Sequence, residues 1–132
     1  MTSSVALQPE PAPIVACTIS RDVQNFDLLI EDMEAELGES WGDLSFEDAR
    51  VFFGQPDAAD LEFVAIAMND EDEDKIAVIA DIIKTANANG VKVVVIAEGA
   101  SPSVLRQLLK MAAEEFVPYP LPEGALHDAI ER

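Results

Sequence analysis

Asp70, Asp72 and Asp74 alternate with Glu71 and Glu73, and such a D-x-D-x-D run is how a calcium loop begins to wrap hard oxygen ligands around its ion. The spacing stops short of that chemistry. Counting from Asp70, the sixth position is Lys75 where the loop needs glycine, and the twelfth is Asp81 where it needs a bidentate glutamate. The run reads instead as a solvated helix start, whose carboxylates offset the positive end of the helix dipole. His127 has no cysteine or second histidine at a metal-binding spacing, and Cys17 lies inside an apolar run, where a thiol packs rather than reacts. No GxxxxGK[ST], GxGxxG or GxSxG segment occurs. Tyr119, between Pro118 and Pro120, has two readings: a half-buried aromatic with a wet hydroxyl, or a member of a contact surface.

The elements that would position these residues alternate regularly. The stretch from Val91 to Leu121 reads as strand, crossover helix and parallel strand. Val91 to Ile96 is too short for a helix and too apolar for a strand with one wet face; Ser101 can cap a helix that Pro102 begins, with Val104, Leu105, Leu108, Leu109 and Met111 at helical spacing. Phe116 to Pro120 is then extended, because X-Pro steps exclude helix. Earlier, Ile14 to Ile19 is a first strand. Val23 to Leu37 is a helix with Phe26, Leu29, Ile30, Met33 and Leu37 on one stripe, closed by Gly38.

A second strand falls in Glu39 to Leu44, with a short helix capped by Ser45 and stopping at Gly54-Gln55-Pro56; a competing reading makes Ala49 to Phe53 the strand. Leu61 to Met68 is a third strand, followed by a helix through Ile76, Ile79, Ala80 and Ile83 to Gly90. Pro122 starts a last helix with Ala125, Leu126, Ala129 and Ile130 facing inward. Met1 to Pro13, with three prolines among small and polar residues, reads as a flexible leader, leaving 14–132 as one domain. The βα alternation predicts a doubly wound, five-stranded parallel sheet of flavodoxin type, strand order 2-1-3-4-5, with helices on both faces.

The composition narrows the partners. Acidic residues outnumber basic ones 26 to 8, a net charge of −18 that repels nucleic acid and anionic membranes and favours a basic partner. One cysteine among 132 residues allows no internal disulfide. No run approaches the ~20 apolar residues that span a bilayer, and the expected location is the cytoplasm.

The segment Ala112-Ala113-Glu114-Glu115-Phe116-Val117-Pro118-Tyr119-Pro120-Leu121 resembles the Gly-Ala-Asp-Asp-Tyr-Leu-x-Lys-Pro-Phe segment of response-regulator receiver domains, a CheY-like fold, and the likeness extends from Ile14 to Arg132. More narrowly, through Phe116 to Ala125 (FVPYPLPEGA), the chain is similar to the receiver-like N-terminal domain of CpaE/TadZ pilus assembly proteins, which precedes a MinD/ParA-type ATPase. The resemblance implies a phosphorylation pocket with an acceptor aspartate ending the third strand and two acids after the first strand holding Mg²⁺. It also implies a hydroxyl after the fourth strand and a lysine before the proline of the fifth.

Carried onto this sequence, the acceptor falls on Ala65 or Ala67 according to register. Asp22 is kept but its neighbour is Arg21, the hydroxyl position is Ala97, and the lysine position is Tyr119. The resemblance therefore implies a pseudo-receiver: a non-catalytic interaction module without cofactor or metal, acting in localisation or dimerisation of the pilus machinery. Its partner is a protein or a second copy, with an ATPase domain in the same full-length chain. Met111, Tyr119, Pro120 and Pro122 are the candidate interface, on the surface of the fourth helix, fifth strand and fifth helix. The alternative is an atypical response regulator phosphorylated on Asp70.

Overall fold

The structure, a computed structural model, describes residues 14–99, 101–110, 115–122 and 124–131. Five strands form one parallel sheet: β1 (Ala16–Ile19), β2 (Trp41–Leu44), β3 (Phe63–Asn69), β4 (Lys92–Glu98) and β5 (Glu115–Pro118), in the order β2-β1-β3-β4-β5. Among the described residues, α-helices α1 (Asp27–Leu37), α2 (Phe46–Phe52), α3 (Ile76–Ala88), α4 (Pro102–Lys110) and α5 (Ala125–Glu131) connect and cover it. The register sets Ile19 beside Ile66, Ala65 beside Val94, and Ile96 beside Val117.

The sheet is buried on both sides, which is why its central strands are unbroken apolar runs. Side chains alternate across it. Val64, Ile66, Met68, Val93 and Val95 pack with Ala49 of α2 and Ile79, Ile82 and Ile83 of α3. Phe63, Ala65, Ala67, Val94 and Ile96 pack with Leu29 and Met33 of α1 and Leu126 and Ala129 of α5.

Local chemistry fixes the element ends. Gly38 closes α1 at φ 60°, a backbone conformation that costs glycine least, and its N–H donates to the Glu34 carbonyl. Ser45 Oγ accepts the Asp48 N–H at 3.1 Å, which starts α2 and assigns Ala49 to Phe53 to a helix and the turn after it, with the second strand at Trp41–Leu44.

Two element starts differ from the sequence expectation. The Asp22 carboxylate accepts the Gln24 N–H at 3.0 Å and holds Val23–Asn25 in a separate 3₁₀ turn, so α1 begins at Asp27 rather than at Val23. Pro122 precedes α5: its carbonyl accepts the Ala125 N–H at 3.0 Å in a turn, and the helix starts there. Of the apolar stripe on α4, Val104 is buried. The Leu105, Leu108 and Leu109 side chains, Met111, the Ile130 side chain and the leader Met1 to Pro13 lie outside the described residues.

Candidate functional site

In a doubly wound sheet the residues just past the carboxyl ends of the central strands are placed to meet a ligand. Here those ends belong to β1, β3 and β4. β3 finishes in a capping box: Asn69 Oδ1 accepts the Glu71 N–H at 2.9 Å, and Asp72 Oδ2 accepts the Asn69 N–H at 3.0 Å. The box winds the acidic run into a 3₁₀ turn, Asp70–Lys75, leading into α3 and turning Asp72 inward until its side chain is 1% exposed.

Arg21, two residues past β1, meets it. Its Nε donates to Asp72 Oδ1 at 3.2 Å and its Nη2 to Glu71 Oε2 at 2.7 Å. A carboxylate that deep is expensive without a countercharge, and the guanidinium supplies one. On the other flank Ser101 Oγ donates to Glu73 Oε1 at 2.9 Å and accepts the Val104 N–H at 3.3 Å, joining the same turn to the start of α4. The acidic run is thereby tied to β1 and to α4.

The remaining pocket positions do not converge. Asp22 is committed to the Gln24 N–H. Ala65 and Ala67 have no exposed surface and lie under α1 and α5, while Ala97 faces the opposite side of the sheet among the α2 and α3 contacts. Asp70 is exposed and follows the last residue of β3.

Tyr119 follows β5; its N–H donates to the Ala97 carbonyl at 3.0 Å, and its peptide bond to Pro120 is cis. Of the two readings of Tyr119, its packing matches the half-buried aromatic, with the hydroxyl bonded to protein. The ring stands edge-on to Phe26 with centroids 5.2 Å apart, and its hydroxyl accepts the Leu28 N–H at 3.1 Å, serving a donor that the first turn of α1 leaves unpaired. Half-burial with a hydrogen-bonded hydroxyl satisfies both ends of the side chain. Pro120 and Pro122 are exposed nearby, and Met111 lies outside the described residues.

A Mg²⁺ ion at these strand ends would need one or two carboxylates not already bound to a cation, with waters completing its shell. The donor set does not fit one: Asp22 caps a turn, and Asp72 and Glu71 already hold a fixed cation. No group of three or more His, Cys, Asp or Glu suited to a metal occurs among the described residues. Elsewhere, burial pushes the Cys17 thiol up to about 11, further raised by Asp43 and partly offset by a hydrogen bond from the Gly42 backbone. His127 Nδ1 lies 3.0 Å from the Glu36 carboxylate and links α5 to α1.

Sequence reasoning missed Asp72, Glu71, Glu73 and Ser101 as a connected group. The N-x-x-D spacing of Asn69 and Asp72 is a capping signal that could have marked Asp72; nothing local pairs it with an arginine 51 residues away.

No protein-family model matches the sequence, and no curated protein sequence does. Solved structures do. A response regulator receiver protein from Pseudomonas putida superimposes with a TM-score of 0.62 over 93% of this chain and 98% of its own, at 14% identity. The fold is that of a receiver domain. A pilus assembly protein CpaE from Caulobacter crescentus gives 0.60 over 92% of this chain and 94% of its own, at 15% identity. A receiver protein from Pseudoalteromonas atlantica gives 0.57 over 88% and 93%, at 13% identity. The receiver-like chain is thus similar both to receiver domains and to CpaE, and none of its described helices is long and apolar enough to cross a membrane.

Proposed function

We infer that this chain is a non-phosphorylatable receiver-like interaction module of a CpaE/TadZ-type pilus assembly protein. It acts in localisation or dimerisation of the machinery, in the cytoplasm, without a catalytic step of its own. The observation that carries the reading is the Arg21 guanidinium bound to Asp72 and Glu71, a permanent cation at the strand ends where a phosphorylatable receiver recruits a metal. Ala65 and Ala67, at the acceptor positions, supply no carboxylate for an acyl phosphate.

The likeness to the pilus assembly protein CpaE of C. crescentus supports the pilus context; the resemblance of FVPYPLPEGA to CpaE/TadZ proteins adds a MinD/ParA-like ATPase domain in the same full-length chain. The contact surface runs along α4, β5 and α5 with Pro120 and Pro122 outermost. Tyr119 stiffens it from beneath through Phe26, and a surface held in one shape loses less freedom on association.

Incubation with Mg²⁺ and acetyl phosphate, followed by intact-mass measurement, should leave the mass unchanged. A stoichiometric phosphoryl adduct that disappears in Asp70→Asn would overturn the reading in favour of a response regulator phosphorylated on Asp70.

A further inference from the structure

A cleft of about 560 Å³ opens at the sheet edge opposite to β5, between β2 and α2. Gly42 leaves part of its lining bare. Gly42 pairs in register with Cys17, and where a side chain at 42 would cover the thiol there is none; a Cβ built there would meet only Cys17 Sγ at 3.9 Å and Ile14 at 4.0 Å. Phe52 and Leu61 form the apolar walls, and Ile14, 45% exposed, stands at the mouth. Asp43 and Asp60 also line the cleft, with no basic residue among its described lining. Neither acid is in an ion pair among the described residues; Asp43 accepts only the Thr18 hydroxyl, at 2.6 Å.

Beside this cleft runs an open backbone edge. Among the described residues β2 pairs with β1 alone, and the other side of Trp41–Leu44 carries no neighbouring strand. An unpaired edge gives an extended chain its main-chain hydrogen bonds, and an adjacent pocket selects alternate side chains. We propose that the β2 edge and its cleft bind an extended, basic protein segment, which adds a strand beside Trp41–Leu44, seats an apolar side chain over Gly42 and sets lysine or arginine against Asp43 and Asp60. Charge decides between occupants. A second copy would bring Asp43 and Asp60 against like charges on a chain of net charge −18, whereas a basic segment is drawn in. This surface lies at the far edge of the sheet from Pro120 and Pro122, and the inference does not depend on the proposed function.

The test uses the whole chain and three peptides: one alternating lysine with valine and leucine, its glutamate counterpart, and one of the same positive charge with prolines that prevent strand pairing. Binding is followed through amide shifts of residues 41–44 and the fluorescence of Trp41, the chain's one tryptophan. The alternating basic peptide should bind and shift those amides, while the other two should not. Asp43→Asn with Asp60→Asn should weaken binding about two- to tenfold, since each exposed ion pair contributes modestly. Gly42→Val, which sets a branched side chain where the bound apolar side chain would sit, with its Cβ at ordinary contact distances, and which favours a strand, should weaken binding at least tenfold while the circular-dichroism melt stays native. Equal binding of the proline or glutamate peptide, undiminished binding by folded Gly42→Val, no binding of the basic peptide, or shifts on another face would each overturn the proposal. So would a dimer that sediments from the wild type and is lost in Gly42→Val, because it would give the edge to a second copy.

Discussion

Arg21 reaches two acids of unequal importance. Asp72 is almost wholly buried, whereas the Glu71 side chain is 70% exposed, so water already solvates Glu71 and screens its pairing. Removing the guanidinium leaves Asp72 with the Asn69 N–H as its remaining polar contact among the described residues. Arg21→Gln should therefore destabilise the fold by about 1–3 kcal/mol, below the full cost of breaking a buried pair because Arg21 is itself a third exposed. Glu71→Gln should change it by less than about 0.5 kcal/mol. Urea unfolding of the two variants beside wild type measures the contrast; equal losses would mean that the exposed contact matters as much as the buried one. Tyr119 has a similar asymmetry. Tyr119→Phe keeps the edge-on ring contact and removes the acceptor for Leu28, for an expected loss of about 0.5–1 kcal/mol in the same assay. Tyr119→Ala should lose more, because it also empties the space against Phe26.

β4 is one of the two long central strands of the sheet. It pairs with β3 along Lys92–Glu98 and with β5 on its other side, and Val93 to Ile96 are entirely buried. Val94 lies under α1 and α5 with the apolar side chains of Leu29, Met33 and Leu126 for neighbours. A carboxylate there would have neither partner nor water. Val94→Asp should cost several kcal/mol, a large fraction of the ~5–15 kcal/mol typical of a domain, and abolish the cooperative thermal transition in circular dichroism. Ala65 and Ala67 on β3 occupy the same layer, and their small size lets α1 and α5 approach the sheet. That close packing is the local reason why Ala65 and Ala67 present no surface.

For the molecule as a whole, charge is the dominant feature. Net charge −18 is unevenly placed: α1, from Asp27 to Leu37, carries five acids and no base. Burial, with Glu31 and Glu36 adding to it, raises the Asp32 carboxyl above its ordinary range. Like charges held together in the native state repel less when salt is present, since the Debye length shrinks from ~30 Å at 0.01 M to ~3 Å at 1 M. The melting temperature should therefore rise as sodium chloride is raised from low millimolar to half-molar. A flat or falling dependence would show that attractive pairs such as Arg21 with Asp72 outweigh the repulsion.

The order of elements was legible from the chain because it depends on neighbours a few residues apart. Unbroken runs such as Leu61 to Met68 belong to strands covered on both faces; Ser45, Gly38 and Gly90 mark helix ends by their own backbone chemistry; and a parallel sheet then follows from the βα alternation. Where the second strand lay was open to sequence and closed by the Ser45 cap. The site was less legible. The resemblance marked Arg21, Ala65, Ala67, Ala97 and Tyr119 as departures from a phosphorylatable pocket, but the partners that Arg21 and Tyr119 meet lie far along the chain. Arg21 meets Asp72 because β1 and β3 are sheet neighbours, Tyr119 meets Leu28 because β5 ends beside the start of α1, and Gly42 lies beside Cys17 because β2 pairs with β1. Periodicity records which face of an element is buried. Which distant side chain completes a buried charge or fills a gap depends on strand order and register, and those are decided only when the whole sheet packs.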